Sequence, residues 1–255
     1  MPSLPVRGAA VRSLELPLPP ARMPLVRDRR PLKRWRYVAV YSPELMLCVG
    51  HARVAGWSQR WWAVALPDGS LFEGGRAGDV ISLSLEEGPG VEVVSAHGRS
   101  YIWTCKQAGI AVKAQVRVSG RTLSVDGPFG FVDESAGYHA RRTSWRWSAG
   151  IGRATDGRAV AWNLVDGVHD SPVGSERTVW IEGSPREVEP VDFASDLSRV
   201  GDLRLDEWSA REDHTNRLFV RSDYRQPFGS FSGVLPGGVE LDSGYGVMEW
   251  HDVRW

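Results

Sequence analysis

Lysine is scarce in this chain. It occurs only at Lys33, Lys106 and Lys113, so arginine supplies nearly all of the positive charge. That bias fits a high-GC coding preference, or arginine forks that recognise anionic groups. Net charge is also lacking: the formal value is +0, with a pI near 7.0. Without a basic excess, neither a nucleic-acid partner nor an acidic membrane surface is expected. Cysteine appears only at Cys48 and Cys105, both inside apolar strand-like runs. One disulfide is arithmetically open, but the setting favours buried free thiols in a reducing compartment. No apolar run approaches the roughly 18 residues of a membrane helix, and no basic–apolar–small pattern opens the chain. The expectation is a soluble cytoplasmic protein with no transmembrane segment; the oligomeric state stays open.

Catalytic signatures are missing too. There is no glycine-rich dinucleotide loop, phosphate-cradling loop, GxSxG, HExxH or paired CxxC. His51, His97, His139, His169, His214 and His251 match no common zinc spacing. No βαβ pattern is visible, so no nucleotide cofactor is expected, and no metal.

What is present points to β structure. The 255 residues, 42% of them hydrophobic, suffice for a substantial core in one large all-β unit or two lobes. Twelve tryptophans supply large apolar surfaces, each with one N–H donor. Residues 1–32 are proline-rich and read as an extended N-terminal arm lying on the body, with a disordered tip. From Lys33 onward, alternating runs are broken by turns such as Pro67-Asp68-Gly69-Ser70, Ser119-Gly120 and Asp156-Gly157. Sustained helical periodicity is absent; the best short-helix candidate is Asp192–Leu197. The composition changes at Asp126-Gly127-Pro128, which suggests an N-terminal β lobe over 33–127 and a C-terminal β lobe over 128–255. The expected fold class is all-β and antiparallel, as barrels or paired sandwiches.

The densest chemistry lies in FVDESAGYHARRTSWRWSAGIG, Phe131–Gly152. A strand starting near His139 would put His139, Arg141, Thr143, Trp145 and Trp147 on one face. That face is aromatic with a polar end, as the wall of a pocket would be. His139 follows Asp133 and Glu134, and a carboxylate neighbour would orient its ring and raise its pKa, whereas burial would lower it. The alternative is a half-buried structural histidine at a strand entrance. Tyr138 and Arg141 flank it as candidate ligand contacts, although Arg141 and Arg142 are equally suited to tethering the acidic pair. In the C-terminal YGVMEWHDVRW, Glu249 and His251 share one strand face. A closing strand beside an earlier one would bring them near the 139–147 face; otherwise Glu249 pairs with an arginine. Asn163 is a polar amide in the apolar AWNLV run, next to Trp162, and burial would require partners for it. Asp213-His214-Thr215-Asn216 reads as a turn, and Tyr224, Gln226 and Phe228 as a loop around a proline.

KRWRYVAV, DGPFGFVDESAGYHARRTSWRWSAG, YRQPFGSFSGVLPGGVEL and GYGVMEWHDVRW together resemble the bacterial domain-of-unknown-function family 2804, over Leu32 to Trp255. The most specific parts are the KRW start, the FGSFSG phrase and the E-x-H-x-x-x-W end at Glu249, His251 and Trp255. That family transfers no activity. It is distantly similar to lipocalin-like carotenoid hydratases, tocopherol cyclases and cofactor-free pericyclases, which implies tandem β lobes around an aromatic pocket. The hydratases' Asp-His-x-Trp-Gly type of signature is not reproduced; its nearest analogue here is His139 to Trp147.

Three functions fit. The first is a cofactor-free acid–base enzyme that hydrates, isomerises or cyclises a hydrophobic small molecule. Here His139, Glu249, His251 or Glu134 would move the proton. Trp145, Trp147, Trp162, Asn163, Arg141, Tyr138 and Tyr224 would line the ligand. The second is a non-catalytic carrier of a lipid or similar ligand. The third is a β-sandwich that binds a sugar or a protein.

Overall fold

A computed structural model of the chain describes residues 3–54, 56–217 and 220–255. The N-terminal tip, Met1 and Pro2, lies outside them. The architecture is all-β and antiparallel, built from two large curled sheets.

The first sheet has nine strands. Its main path runs Val6–Arg7, Val91–His97, Ser100–Val118, Arg121–Gly137, Lys33–Tyr41, Met46–Val54, Trp57–Ala65 and Leu71–Gly74. Ile81–Leu85 pairs with the far half of Ser100–Val118. That long strand serves two neighbours because it bends. Its register slips between Ala108, Ile110 and Val112, and Gly109 sits there in the left-handed region at φ 68°. A bulge of this kind turns a strand and tightens its twist. The sheet therefore curls on its outer face around Val40, Leu47, Val64, Val112 and Val116.

The second sheet has eight strands, ordered Ser184–Glu187, Thr178–Ile181, Ala159–Asp166, Arg142–Ala154, Val239–Arg254, Val220–Leu235, Asp202–Arg217 and Arg199–Val200. It curls around Trp162, Leu164, Leu203, Phe231 and Met248. Glycines make room for that core. Gly150 faces Gly246 and Gly152 faces Gly244 across one ladder, and a Cβ on Gly150 would come within 2.2 Å of the Trp162 ring.

Between the sheets lies a third apolar layer, contributed by both. Tyr37, Tyr41, Cys48 and Phe131 of the first sheet meet Trp147, Val165, Phe228 and Val247 of the second. The result is two curled, sandwich-packed sheets of lipocalin-like character. Among the described residues, no helix is long and apolar enough to cross a membrane. Both cysteines are free thiols, Cys48 buried and Cys105 half-buried.

Several local expectations change. The arm is not extended throughout: Gly8–Ser13 forms a 3-10 turn that buries Val11 beneath the first sheet. Arg121–Gly137 runs through Asp126-Gly127-Pro128, and the chain changes sheets at 138–141. Asp192–Leu197 is not helical; Phe193 bridges to Val200 there. Asp213–Asn216 is strand rather than turn, because cross-strand partners absorb its polarity, His214 meeting Asp223 at 3.3 Å. Tyr224, Gln226 and Phe228 are also strand. Pro227 sits where the ladder to the last strand skips from Arg225–Trp250 to Phe228–Val247, and on its other side it stands opposite Ala210.

Candidate functional site

The last strand lies beside Arg142–Ala154, and register decides what meets. Trp147 stands opposite Glu249, Trp145 opposite His251, and Tyr224 opposite His251 on the other side. Residues two apart share a face, so all five side chains enter the layer between the sheets.

Glu249 is the focus of this face. Its carboxyl accepts from Trp145 Nε1 at 2.8 Å, Tyr224 Oη at 3.1 Å and Gln226 Nε2 at 3.0 Å. Burial raises its pKa. Hydrogen bonds from Trp145 and Tyr224 pull it back, but burial prevails and leaves it at about 7. Around it, Tyr37 and Tyr41 face one another at 3.4 Å, and Tyr37 meets the Trp147 ring edge-on at 5.6 Å. Arg211 lies over the Tyr224 ring at 5.3 Å and pairs with Glu73 of the first sheet at 3.2 Å. His251 contacts Ser222 Oγ at 2.8 Å, and burial lowers its pKa to about 4, so the ring is neutral near pH 7.

A second polar group sits beside the first. Lys106 Nζ contacts Asp133 at 2.5 Å and Glu176 at 3.4 Å, all three side chains being largely buried. Burial works to lower the Lys106 pKa, but Asp133 and Glu176 outweigh it and hold the ammonium above its ordinary value. Glu176 and His169 come from the loop 167–177. Arg177 clamps that loop by donating to the carbonyls of Asp170, Ser171 and Val188. His169 reaches Ser95 Oγ at 2.8 Å, and burial lowers it to about 3. Asn163 joins loop to sheet: it accepts from Trp147 Nε1 at 2.8 Å and donates to the Glu176 carbonyl at 2.9 Å.

The structure thus gathers Trp145, Trp147, Asn163, Tyr224, Glu249 and His251. Others are placed elsewhere. Trp162 points to the opposite face, bonded to Ser148 inside the second sheet's curl. Tyr138 packs on Tyr101 beneath the arm, donating to the Pro24 carbonyl. Arg141 is exposed, because the regular strand begins only at Arg142 and the alternation assumed from His139 does not hold before it. Glu134 pairs outward with Arg36 at 2.6 Å. His139 is 1% exposed and packs against Trp35 with ring centroids 4.8 Å apart and planes tilted by 42°, and burial holds its pKa well down. No acid orients its ring, since Asp133 is engaged by Lys106. Lys106, Glu176, His169 and Gln226 lacked any sequence motif to mark them as a group.

Two surface clefts flank the layer. One, of about 220 Å³, is lined by Arg34, Arg53, His51 and Trp103; the other, of about 310 Å³, by Gln107, Ile110 and Trp180. Neither is lined by Glu249. Among the described residues, no cluster of histidine, cysteine and acidic side chains is arranged to hold a metal ion.

A family model described as Domain of unknown function (DUF2804) matches residues 79–255. No curated protein matches the chain. Among solved structures, the chain is similar to kievitone hydratase from Nectria haematococca, at 9% identity over 86% of this chain and 88% of that one, with a TM-score of 0.49. It is similar to a putative AttH (NE1406) from Nitrosomonas europaea, at 12% identity over 93% and 98%, TM-score 0.46. It is also similar to CghA with Sch210972, at 11% identity over 98% of each chain, TM-score 0.43.

Proposed function

The chain belongs to the DUF2804 family, and from that premise we propose that it takes a hydrophobic small molecule into the aromatic layer between its sheets and protonates it with Glu249. One arrangement carries this reading: a buried carboxyl held by three donors among indole and phenol rings, its pKa pushed by burial up to about 7. His251 and His139 are neutral near pH 7 and do not serve as proton donors; Glu249 does.

The three donors have a further consequence. They add little to a protonated carboxyl and more to a carboxylate, so they stabilise the form that exists after proton transfer. The proton passes from Glu249 to a carbon of an alkene, or to a carbonyl oxygen. The positive charge that develops faces Trp145, Trp147 and Tyr224, whose rings contribute about 1–2 kcal/mol each when dry. Loss of another proton to the Glu249 carboxylate gives an isomer. Attack by water or by the substrate's own hydroxyl gives a hydrate or a ring, and the proton released restores Glu249. No redox partner is needed. A positioned acid of this kind contributes roughly 10²–10⁴-fold. Trp61, Trp145, Trp208 and Tyr245, packed against the layer, are only half-buried and offer the ligand a way in.

The test is a panel of polyenes, terpenoid alkenes and prenylated phenols incubated in deuterium oxide, with products read by mass spectrometry. The wild-type protein is expected to place solvent deuterium on a product carbon, and Glu249→Gln to lose that incorporation by at least about 100-fold. Equal incorporation by the variant would remove Glu249 from the chemistry. Binding without any conversion across the panel would make the protein a carrier.

A further inference from the structure

At the far end of the inter-sheet layer, buried donors accumulate without an acid. Lys33 is 1% exposed, and among the described residues its Nζ makes one hydrogen bond, to the His139 carbonyl at 3.0 Å. The ammonium also lies 5.0 Å from the Trp255 ring, whose Nε1 is buried with no partner among the described residues. Both ring nitrogens of His139 are buried and, among the described residues, have no hydrogen-bond partner. His97 lies 6.0 Å from His139. Arg30 approaches too, but its Nη1 donates to the carbonyls of His97 and Tyr138. The leading charges acting on Lys33, His97 and His139 are those of Arg30, Lys33 and other histidines. A buried cation with no counter-ion, beside unpaired N–H groups, is costly unless something with acceptor oxygens completes it.

We infer that Lys33, His139 and Trp255 form a recognition site for the carboxylate of an otherwise apolar ligand. A single-charge, two-oxygen acceptor neutralises one ammonium and accepts from the indole and an imidazole. Arg30 Nη1 is already committed to the His97 and Tyr138 carbonyls, so the Lys33 ammonium is the cation placed to face the ligand directly. The inference rests on the function proposed above in one respect, the apolar body of the ligand. Trp35 provides the continuity: it lies 4.8 Å from His139 on one side and stacks on Trp145 at 6.3 Å and 9° on the other. Trp145 in turn donates to Glu249. A hydrophobic acid would thus lie along the rings with its head group at Lys33 and its reacting carbon toward Glu249.

The test compares three probes by calorimetry on the intact chain: dodecanoate, methyl dodecanoate and acetate. Dodecanoate is expected to bind at least tenfold more tightly than its ester, and Lys33→Met to abolish that difference while leaving the ester unchanged. Equal affinity of acid and ester, or an undiminished preference in Lys33→Met, would overturn the head-group assignment while leaving the hydrophobic layer standing. Acetate binding that depends on Lys33, with neither long-chain probe bound, would support the anion site and refute the layer. Binding of no probe would overturn the site. Should Lys33→Met fail to fold, Trp255→Phe removes one donor but keeps the ring, and is expected to weaken dodecanoate several-fold and the ester not at all.

Discussion

Replacing Glu249 by glutamine tests the central group without requiring a substrate. In the folded chain its pKa rises from 4.5 to about 7, with burial the leading cause. A carboxyl raised on folding favours the native state most where both states hold the proton, below the unfolded value. As pH climbs from 4.5 toward 7 the unfolded chain releases its proton and the folded chain does not, so stability falls through that window and then levels. At about 1.4 kcal/mol per pH unit, the loss attributable to this group is about 3 kcal/mol. Glutamine is isosteric with the protonated carboxyl and does not titrate. It keeps an oxygen for Trp145 Nε1, and Gln226 meets the new amide by turning its own amide over. The variant should therefore lie within about 1 kcal/mol of wild type at the acid end of the window. It should exceed wild type by about 2–3 kcal/mol near pH 8. His251 and Lys33 titrate in both proteins, so subtracting the two profiles removes them. The measurement is urea unfolding followed by tryptophan fluorescence at several pH values. A difference between wild type and variant that does not change with pH would show that Glu249 ionises as an ordinary carboxyl. The proton donor of the proposed chemistry would then be lost.

The other predictions concern what surrounds that group. Lys106→Met leaves Asp133 and Glu176 buried without their cation and should cost roughly 3–5 kcal/mol in the same unfolding assay, whereas Lys33→Met, which abandons no acid, should be neutral or stabilising. Equal losses in the two would contradict the charge assignment. Arg177→Ala deprives three part-buried carbonyls of their donor and should cost roughly 1–3 kcal/mol while making the loop 167–177 an early site of limited proteolysis. Cleavage elsewhere first would deny the clamp its role. Of the twelve tryptophans only Trp57 is well exposed, at 80%, so Trp57→Phe should abolish most of the iodide-quenchable fluorescence. Substantial remaining quenching would mean that the inter-sheet layer is open to solutes.

Local patterns and non-local pairing divide what could be read from the chain. Alternation and turn residues announced antiparallel sheets because each strand hides one face, and that periodicity is written in adjacent residues. Two-residue spacing likewise put Glu249 with His251, and Trp145 with Trp147. What spacing does not contain is which strand lies beside which. Glu249 meets Trp145 only because the last strand pairs with Arg142–Ala154, and Glu176 meets Lys106 only because a loop folds back from the second sheet onto the first. Asn163 and Trp162 show the same limit from the other side: adjacent in sequence, they face opposite cores, and only Asn163 reaches the site. One compositional signal did carry information about the interior. Where arginine is the default cation, a lysine stands out, and two of the three lysines are buried. A guanidinium is a wide planar fork, whereas an ammonium is a compact point donor on a flexible stem that fits between strands. Lys113, 78% exposed beside Asp126, fits the ordinary surface pattern. Lys106 and Lys33 instead mark the places between the sheets where a small cation is enclosed, one already facing two carboxylates and the other facing none. The asymmetry between those two lysines is what separates a completed structural ion cluster from a site built to receive an anion.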